Sequence, residues 1–194
     1  MQQIITKNDP SLDIIIGPMF AGKSSELIRR LHIYKKIGFN CLYINSNLDN
    51  RSTTHFSTHN PILTKKLDFD SIKVDNIEKF FDKIQEYDII GIDESQLFKN
   101  LKKNVMYIVE TLKKKVIISG LNGDFNRNKF GEIIDLIPFC DDITKLTPFC
   151  LLCSQNNNII KPGLFSKRTV SSDKTILIGD DNAYIPVCRQ CYIK

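Results

Sequence analysis

No stretch of the 194-residue sequence approaches the roughly 20 consecutive apolar residues that cross a bilayer. The opening residues, MQQIITKNDP, hold no combination of basic n-region, apolar h-region and small-residue cleavage site. Both absences lead to the expectation of a soluble, cytoplasmic protein with no membrane partner. A clustered basic stripe is also lacking. Lys and Arg number 27 against 22 Asp and Glu, for a net charge of +5, but the excess is scattered. Its densest run, Lys113-Lys114-Lys115, is expected at a helix end, where cations suit the helix dipole. No nucleic-acid partner is therefore expected. Six cysteines are too few for a secreted disulfide framework in a chain of this length. Internal repeats and low-complexity tracts are absent as well. What remains is a globular composition, 42% hydrophobic, sufficient for one sizeable core or a core with a small satellite.

Apolar runs and amphipathic stretches alternate along the first 145 residues. Strands are predicted at residues 12–16, 41–44, 72–74, 88–92 and 116–119, and helices at 24–37, 76–87 and 100–115. Residues 45–61 lack periodicity and are predicted as a loop. Alternation of this kind predicts an α/β fold with a mostly parallel sheet, its strands covered on both faces. After about Lys145 the character changes: short polar stretches carry both C-x-x-C pairs. The division predicted is 1–145 for a nucleotide-binding domain and 146–194 for a small domain held by metal rather than by a core.

Between the first strand and helix sits Gly17-Pro18-Met19-Phe20-Ala21-Gly22-Lys23-Ser24, the pattern G-x-x-x-x-G-K-S. Backbone N–H groups of such a loop cradle phosphates, with Lys23 toward the β/γ-phosphates and Ser24 toward Mg²⁺. The fourth strand ends in Asp93-Glu94. A carboxylate there lies beside the phosphates, so Asp93 suits Mg²⁺ and Glu94 is left to act on an acceptor or water. Without a P-loop upstream the same residues would read as an ordinary acidic turn. Cys150-x-x-Cys153 and Cys188-x-x-Cys191, 34 residues apart, suit a closed tetrahedral Zn²⁺ site with a loop projecting from it. Cys41 and Cys140 are read as small core residues, and His32 as structural. In the loop after the fifth strand, residues 120–131, Phe125 and Phe130 either stack on a ligand or anchor the loop in the core.

Taken together, these motifs resemble those of the type II thymidine kinases. The P-loop, Asp93-Glu94-Ser95-Gln96-Leu97-Phe98, Gly120-Leu121-Asn122-Gly123-Asp124-Phe125, Asp49-Asn50-Arg51, both cysteine pairs and Tyr184 match that family's motifs in order. The resemblance implies a RecA-like P-loop NTPase sheet plus a small zinc domain carrying a lasso loop. It implies transfer of the ATP γ-phosphoryl group to the 5′-hydroxyl of thymidine, with Glu94 as general base. Gly17 to Ser24, Asp49, Arg51, Asp93 and Gln96 would bind ATP and Mg²⁺. Met19, Leu97, Leu121, Phe125, Phe130 and Tyr184 would form the nucleoside pocket, with Thr175, Leu177 and Gly179 on the lasso. Structural zinc, a homotetramer and feedback by thymidine triphosphate are further implications. Leu97 stands where the family has an aromatic residue and Asn122 where it has Asp. The short end after Cys191 resembles bacterial or viral members. The competing reading is a RecA-like zinc-containing ATPase or nucleic-acid-binding module; a paralogue that binds nucleotide without catalysis is a third.

Overall fold

The computed structural model describes residues 9–49, 68–157, 159–170 and 183–194. Six strands form one sheet: β1 (Ser11–Gly17), β2 (Cys41–Ser46), β3 (Asp70–Val74), β4 (Ile89–Ile92), β5 (Lys115–Leu121) and β6 (Asp142–Lys145). Their spatial order is β3-β2-β4-β5-β1-β6, and every pairing is parallel. Each strand must therefore return by a crossover, which places helices over the faces.

Alternation along the strands divides the core in two. Leu12, Ile14 and Ile16 of β1, Leu42 and Ile44 of β2 and Ile90 and Ile92 of β4 share one cluster with Leu101, Val105 and Ile108. Ile15, Tyr43, Ile89 and Ile117 point to the other face, against Leu27, Ile28 and Leu31 of helix α1 (Lys23–Lys36). Successive side chains of a strand face opposite sides, so an apolar run with few interruptions fits only a sheet buried on both.

The predicted elements are present with shifted bounds. Residues 76–87 form a 3-10 turn, Ile77–Phe80, followed by a single helical turn, Phe81–Ile84. The expected helix at 100–115 is an α-helix at Leu101–Met106 that widens into a π-helical turn at Tyr107–Thr111. Lys115 is not in the helix: it opens β5, where its ammonium donates to Ser11 and pairs with Asp13. The charge pattern fits a helix end, but half-buried partners across the β1–β5 pair decide the position. The 3-10 segment Ile133–Phe139 and strand β6 have no counterpart in the expectation, because β6 is mostly exposed and carries little apolar signal. Of the predicted loop at 45–61, residues 45 and 46 belong to β2, and 50–61 lie outside the described residues.

A second, two-stranded antiparallel sheet pairs β7 (Phe165–Arg168) with β8 (Tyr184–Val187), flanked by short helices Leu151–Asn157 and Arg189–Ile193. Its interior is small: Cys150, Cys153, Val187 and Cys188, with Leu152, Phe165, Ile185, Cys191 and Tyr192 against them. Among the described residues no helix is long and apolar enough to cross a membrane.

Candidate active site and metal centre

Strand β1 delivers the P-loop to the carboxyl edge of the parallel sheet. Gly22 caps α1 with φ +79°, a left-handed conformation that glycine adopts without steric cost. Lys23 is buried and folds back, its ammonium 2.9 Å from the Pro18 carbonyl. Ser24 is the second residue of α1 and favours the ionised form of Asp93. The loop thus contains a cation and a helix N-terminus aimed at the place where an anion would sit.

Asp93 follows β4 and is 1% exposed. Its carboxylate accepts from Tyr43 Oη at 2.6 Å, from Ser119 Oγ and from the Glu94 backbone N–H at 2.9 Å. Burial, and then the neighbouring Glu94, raise its carboxyl above the usual carboxylate range, against the stabilising bonds from Ser119, Tyr43 and Ser24. A divalent cation there would reverse the balance by favouring the ionised form.

Glu94 is also buried and holds a left-handed backbone, φ +45° and ψ +39°. Non-glycine residues persist there only where their surroundings over-determine them. Gln96 is part of those surroundings. Its Nε2 donates to Glu94 Oε2 at 2.6 Å, while its Oε1 accepts from the Leu121 N–H at 3.0 Å. One amide therefore ties the Glu94 carboxylate to the end of β5. Gly131 closes over the same residue: a Cβ there would lie 2.4 Å from the Gln96 carbonyl oxygen, and its φ is +64°. Gly131→Ala is expected to cost about 2–4 kcal/mol in stability and to lower turnover by moving Gln96. Chemical denaturation and kcat would register both; a variant matching the wild type in each would remove Gln96 from this account.

Phe125 and Tyr184, distant in sequence, meet with ring centroids 6.4 Å apart. Arg168 joins them, its guanidinium 3.7 Å over the Phe125 ring and donating to Tyr184 Oη at 2.7 Å. The second sheet touches the P-loop directly, because the Met19 N–H donates to Ser166 Oγ at 2.9 Å. Tyr192 Oη also donates to the Phe125 carbonyl at 2.7 Å. Between these contacts lies a cavity of about 150 Å³ lined by Pro18, Asn122, Asp124, Arg127, Phe165 and Ser166, among others. Leu97, Leu121 and Phe130 are half-buried, and Phe20 is exposed. Asp49 is buried beyond β2, where it accepts from Asn45 Nδ2 at 3.1 Å. Arg51 and the lasso residues Thr175, Leu177 and Gly179 lie outside the described residues.

The sulfurs of Cys150, Cys153, Cys188 and Cys191 all lie within 4.8 Å of one another. Cys153 Sγ is 3.8 Å from Cys188 Sγ and 3.6 Å from Cys191 Sγ. A disulfide would need about 2.05 Å. Four sulfurs about 2.3 Å from a tetrahedral zinc stand about 3.8 Å apart, so the donor set fits Zn²⁺. The Cys191 backbone N–H draws the Cys188 thiol down to about 7, while burial pushes Cys153 up to about 12. Loading a metal must displace protons here and is favoured as pH rises. Cys41 and Cys140 lie apart. Cys41 is buried under α1, where burial pushes its thiol up to about 12, and Cys140 packs against the larger core. His32 lies on α1 with Nδ1 3.3 Å from Asp68.

A family profile described as thymidine kinase matches residues 10–192. The chain belongs to the thymidine kinase family. A thymidine kinase of Choristoneura biennis entomopoxvirus is 40% identical over 190 residues, covering 94% of this chain and 96% of the relative. One from Variola virus is 36% identical over 186 residues, covering 96% and 98%. Thymidine kinase 1 of Dictyostelium discoideum is 36% identical over 192 residues, covering 97% and 80%. Membership makes the chain a deoxynucleoside kinase with ATP as phosphoryl donor, and it does not favour the ATPase or nucleic-acid-binding reading. Four residues that the structure brings to the candidate site of this thymidine kinase family member are not among those expected from the sequence: Tyr43, Ser119, Ser166 and Arg168. Tyr43 and Ser119 each interrupt an aliphatic strand with a hydroxyl on the face that carries Asp93. That signal was available; for Ser166 and Arg168 there was none.

Proposed function

We propose that this protein transfers the γ-phosphoryl group of ATP to the 5′-hydroxyl of thymidine, and of deoxyuridine, to give the monophosphate used in nucleotide salvage. The observation that carries the reading is the tether through Gln96, which fixes a buried carboxylate, Glu94, to Leu121 at the end of β5, four residues before Phe125. In this scheme Glu94 accepts the 5′-hydroxyl proton while the oxygen bonds to the γ-phosphorus. The bond from that phosphorus to the bridging oxygen of ADP breaks, and Lys23 and the P-loop amides hold the negative charge. Ser24 and Asp93 would hold Mg²⁺, whose contribution is to neutralise charge on the phosphates. Asp49, Arg51 and the remaining P-loop residues complete the phosphate site.

Met19, Leu97, Leu121, Phe125, Phe130 and Tyr184 form the nucleoside pocket in this reading, with Thr175, Leu177 and Gly179 reading the base edge. Buried backbone donors and acceptors reject a wrong base because they are left unpaired. Residues 1–145 act as the phosphoryl-transfer unit, and 146–194 as a zinc-held unit that closes over the base. A cytoplasmic location, a homotetrameric assembly and inhibition by thymidine triphosphate complete the proposal; all three rest on the family resemblance.

A nucleoside panel with Mg-ATP, read by product analysis, tests it. Thymidine and deoxyuridine are expected to yield monophosphates, and deoxycytidine and purine nucleosides none. ATP hydrolysis stimulated by DNA, without a nucleotide product, would sink the reading.

A further inference from the structure

Asp93 is held by more groups than a strand-end carboxylate needs. Its Oδ1 accepts from Ser119 Oγ and from the Glu94 N–H, and its Oδ2 accepts from Tyr43 Oη. Both hydroxyls arrive from neighbouring strands on the α1 side of the sheet. Tyr43 pairs with Gly91, two residues before Asp93 on the same face. Ile118 pairs with Ile92, so Ser119 stands beside Asp93 on β5. Tyr43 is fully buried, its ring packed in the cluster of Leu27, Leu31 and Ile89. An aliphatic residue would fill that space without bringing a polar group into the core, as Leu42 and Ile44 do on the other face. A phenol here puts one donor on one oxygen of one carboxylate.

We propose that Tyr43 and Ser119 are positioning residues for Asp93, pinning one carboxylate oxygen each so that the group stays oriented toward the divalent cation of the bound nucleotide. The inference rests on the assignment of Asp93 as a magnesium-holding residue. With both oxygens engaged, rotation of the carboxylate about its terminal torsion would break a buried hydrogen bond at either end. Partners that orient a metal-holding group in this way commonly change metal affinity about 10–100-fold when removed. Ser24, which also favours the ionised form of Asp93, extends the arrangement to the P-loop.

The test measures Mn²⁺ binding to the ADP-loaded protein by electron paramagnetic resonance, for wild type, Tyr43→Phe, Ser119→Ala and Asp93→Asn. Metal-free ADP binding and thermal unfolding are recorded beside it. Tyr43→Phe and Ser119→Ala are each expected to weaken Mn²⁺ binding by about tenfold or more, with metal-free ADP binding unchanged. Turnover should recover as Mg²⁺ is raised. Should Tyr43→Phe fail to fold, Ser119→Ala carries the same expectation on the other oxygen. Lower melting temperatures with Mn²⁺ affinity intact would show the hydroxyls to be structural only and overturn the inference. Unaltered Mn²⁺ affinity in Asp93→Asn would overturn it at its root, by removing Asp93 from the cation site; the two failures are distinguishable.

Discussion

Glu94→Gln is expected to lower kcat by about 10²–10⁴-fold, the range a positioned general base supplies, while ATP and thymidine bind nearly as before. The substitution keeps the shape of the side chain and leaves an oxygen able to accept from Gln96 Nε2, so the tether at 2.6 Å can persist. It removes the capacity to take a proton. In the proposed mechanism ATP is held by groups the change does not touch: Lys23, which folds back on the Pro18 carbonyl, Ser24 and the P-loop amides. Single-turnover phosphorylation measured beside isothermal binding of ATP and thymidine separates the two effects. A variant that turned over at the wild-type rate would make Glu94 a structural group and return the base to water or to another residue. A variant that lost nucleotide binding as well would show that the carboxylate shapes the P-loop.

Stripping the metal should produce the second large effect. The hairpin β7–β8 and its two helices share a core of few apolar side chains, four of the enclosed positions being cysteines. An interior this small cannot offset the entropy of ordering its chain without a cross-link or a metal. The protein is expected to carry about one zinc per chain. Removing it by chelation, or through Cys188→Ser, is expected to lower the melting temperature by at least about 10 °C, as loss of several kcal/mol would do in a chain this size. The damage should reach the active site. Ser166 holds the Met19 N–H of the P-loop, and Tyr192 holds the Phe125 carbonyl. Hydrogen exchange at Met19 and a rise in the KM for both substrates would report it. A metal-free protein with unchanged melting and unchanged KM would sever zinc from the site.

Local patterns and long-range placement contributed differently to what could be read in advance. Glycines and Lys23 at fixed offsets, an apolar strand ending in Asp93-Glu94, and two C-x-x-C pairs were legible because their chemistry depends on spacing along the chain. The strand–helix alternation was legible for the same reason: burial on both faces of a parallel sheet leaves nearly unbroken apolar runs. Element ends were less so. Lys115 carries a charge pattern that suits a helix terminus, yet its partners Ser11 and Asp13 lie more than 100 residues away and draw it into β5. Strand β6, with its exposed side chains, left almost no periodic trace.

Spacing along the chain is enough to show the phosphate-loop pattern at Gly17–Ser24, the acidic pair Asp93-Glu94 at the end of an apolar run, and four cysteines in two C-x-x-C pairs. Tertiary structure alone decided what orients those groups. Tyr43 and Ser119 reach Asp93 only because β2, β4 and β5 are neighbours, with β3 placed at the sheet edge rather than between β2 and β4. Gln96 reaches Leu121 only because β4 and β5 lie side by side, and Ser166 meets Met19 only because the second sheet packs on the P-loop. A hydrogen bond depends on distance in space, and a parallel sheet sets that distance by crossovers whose order no local pattern encodes.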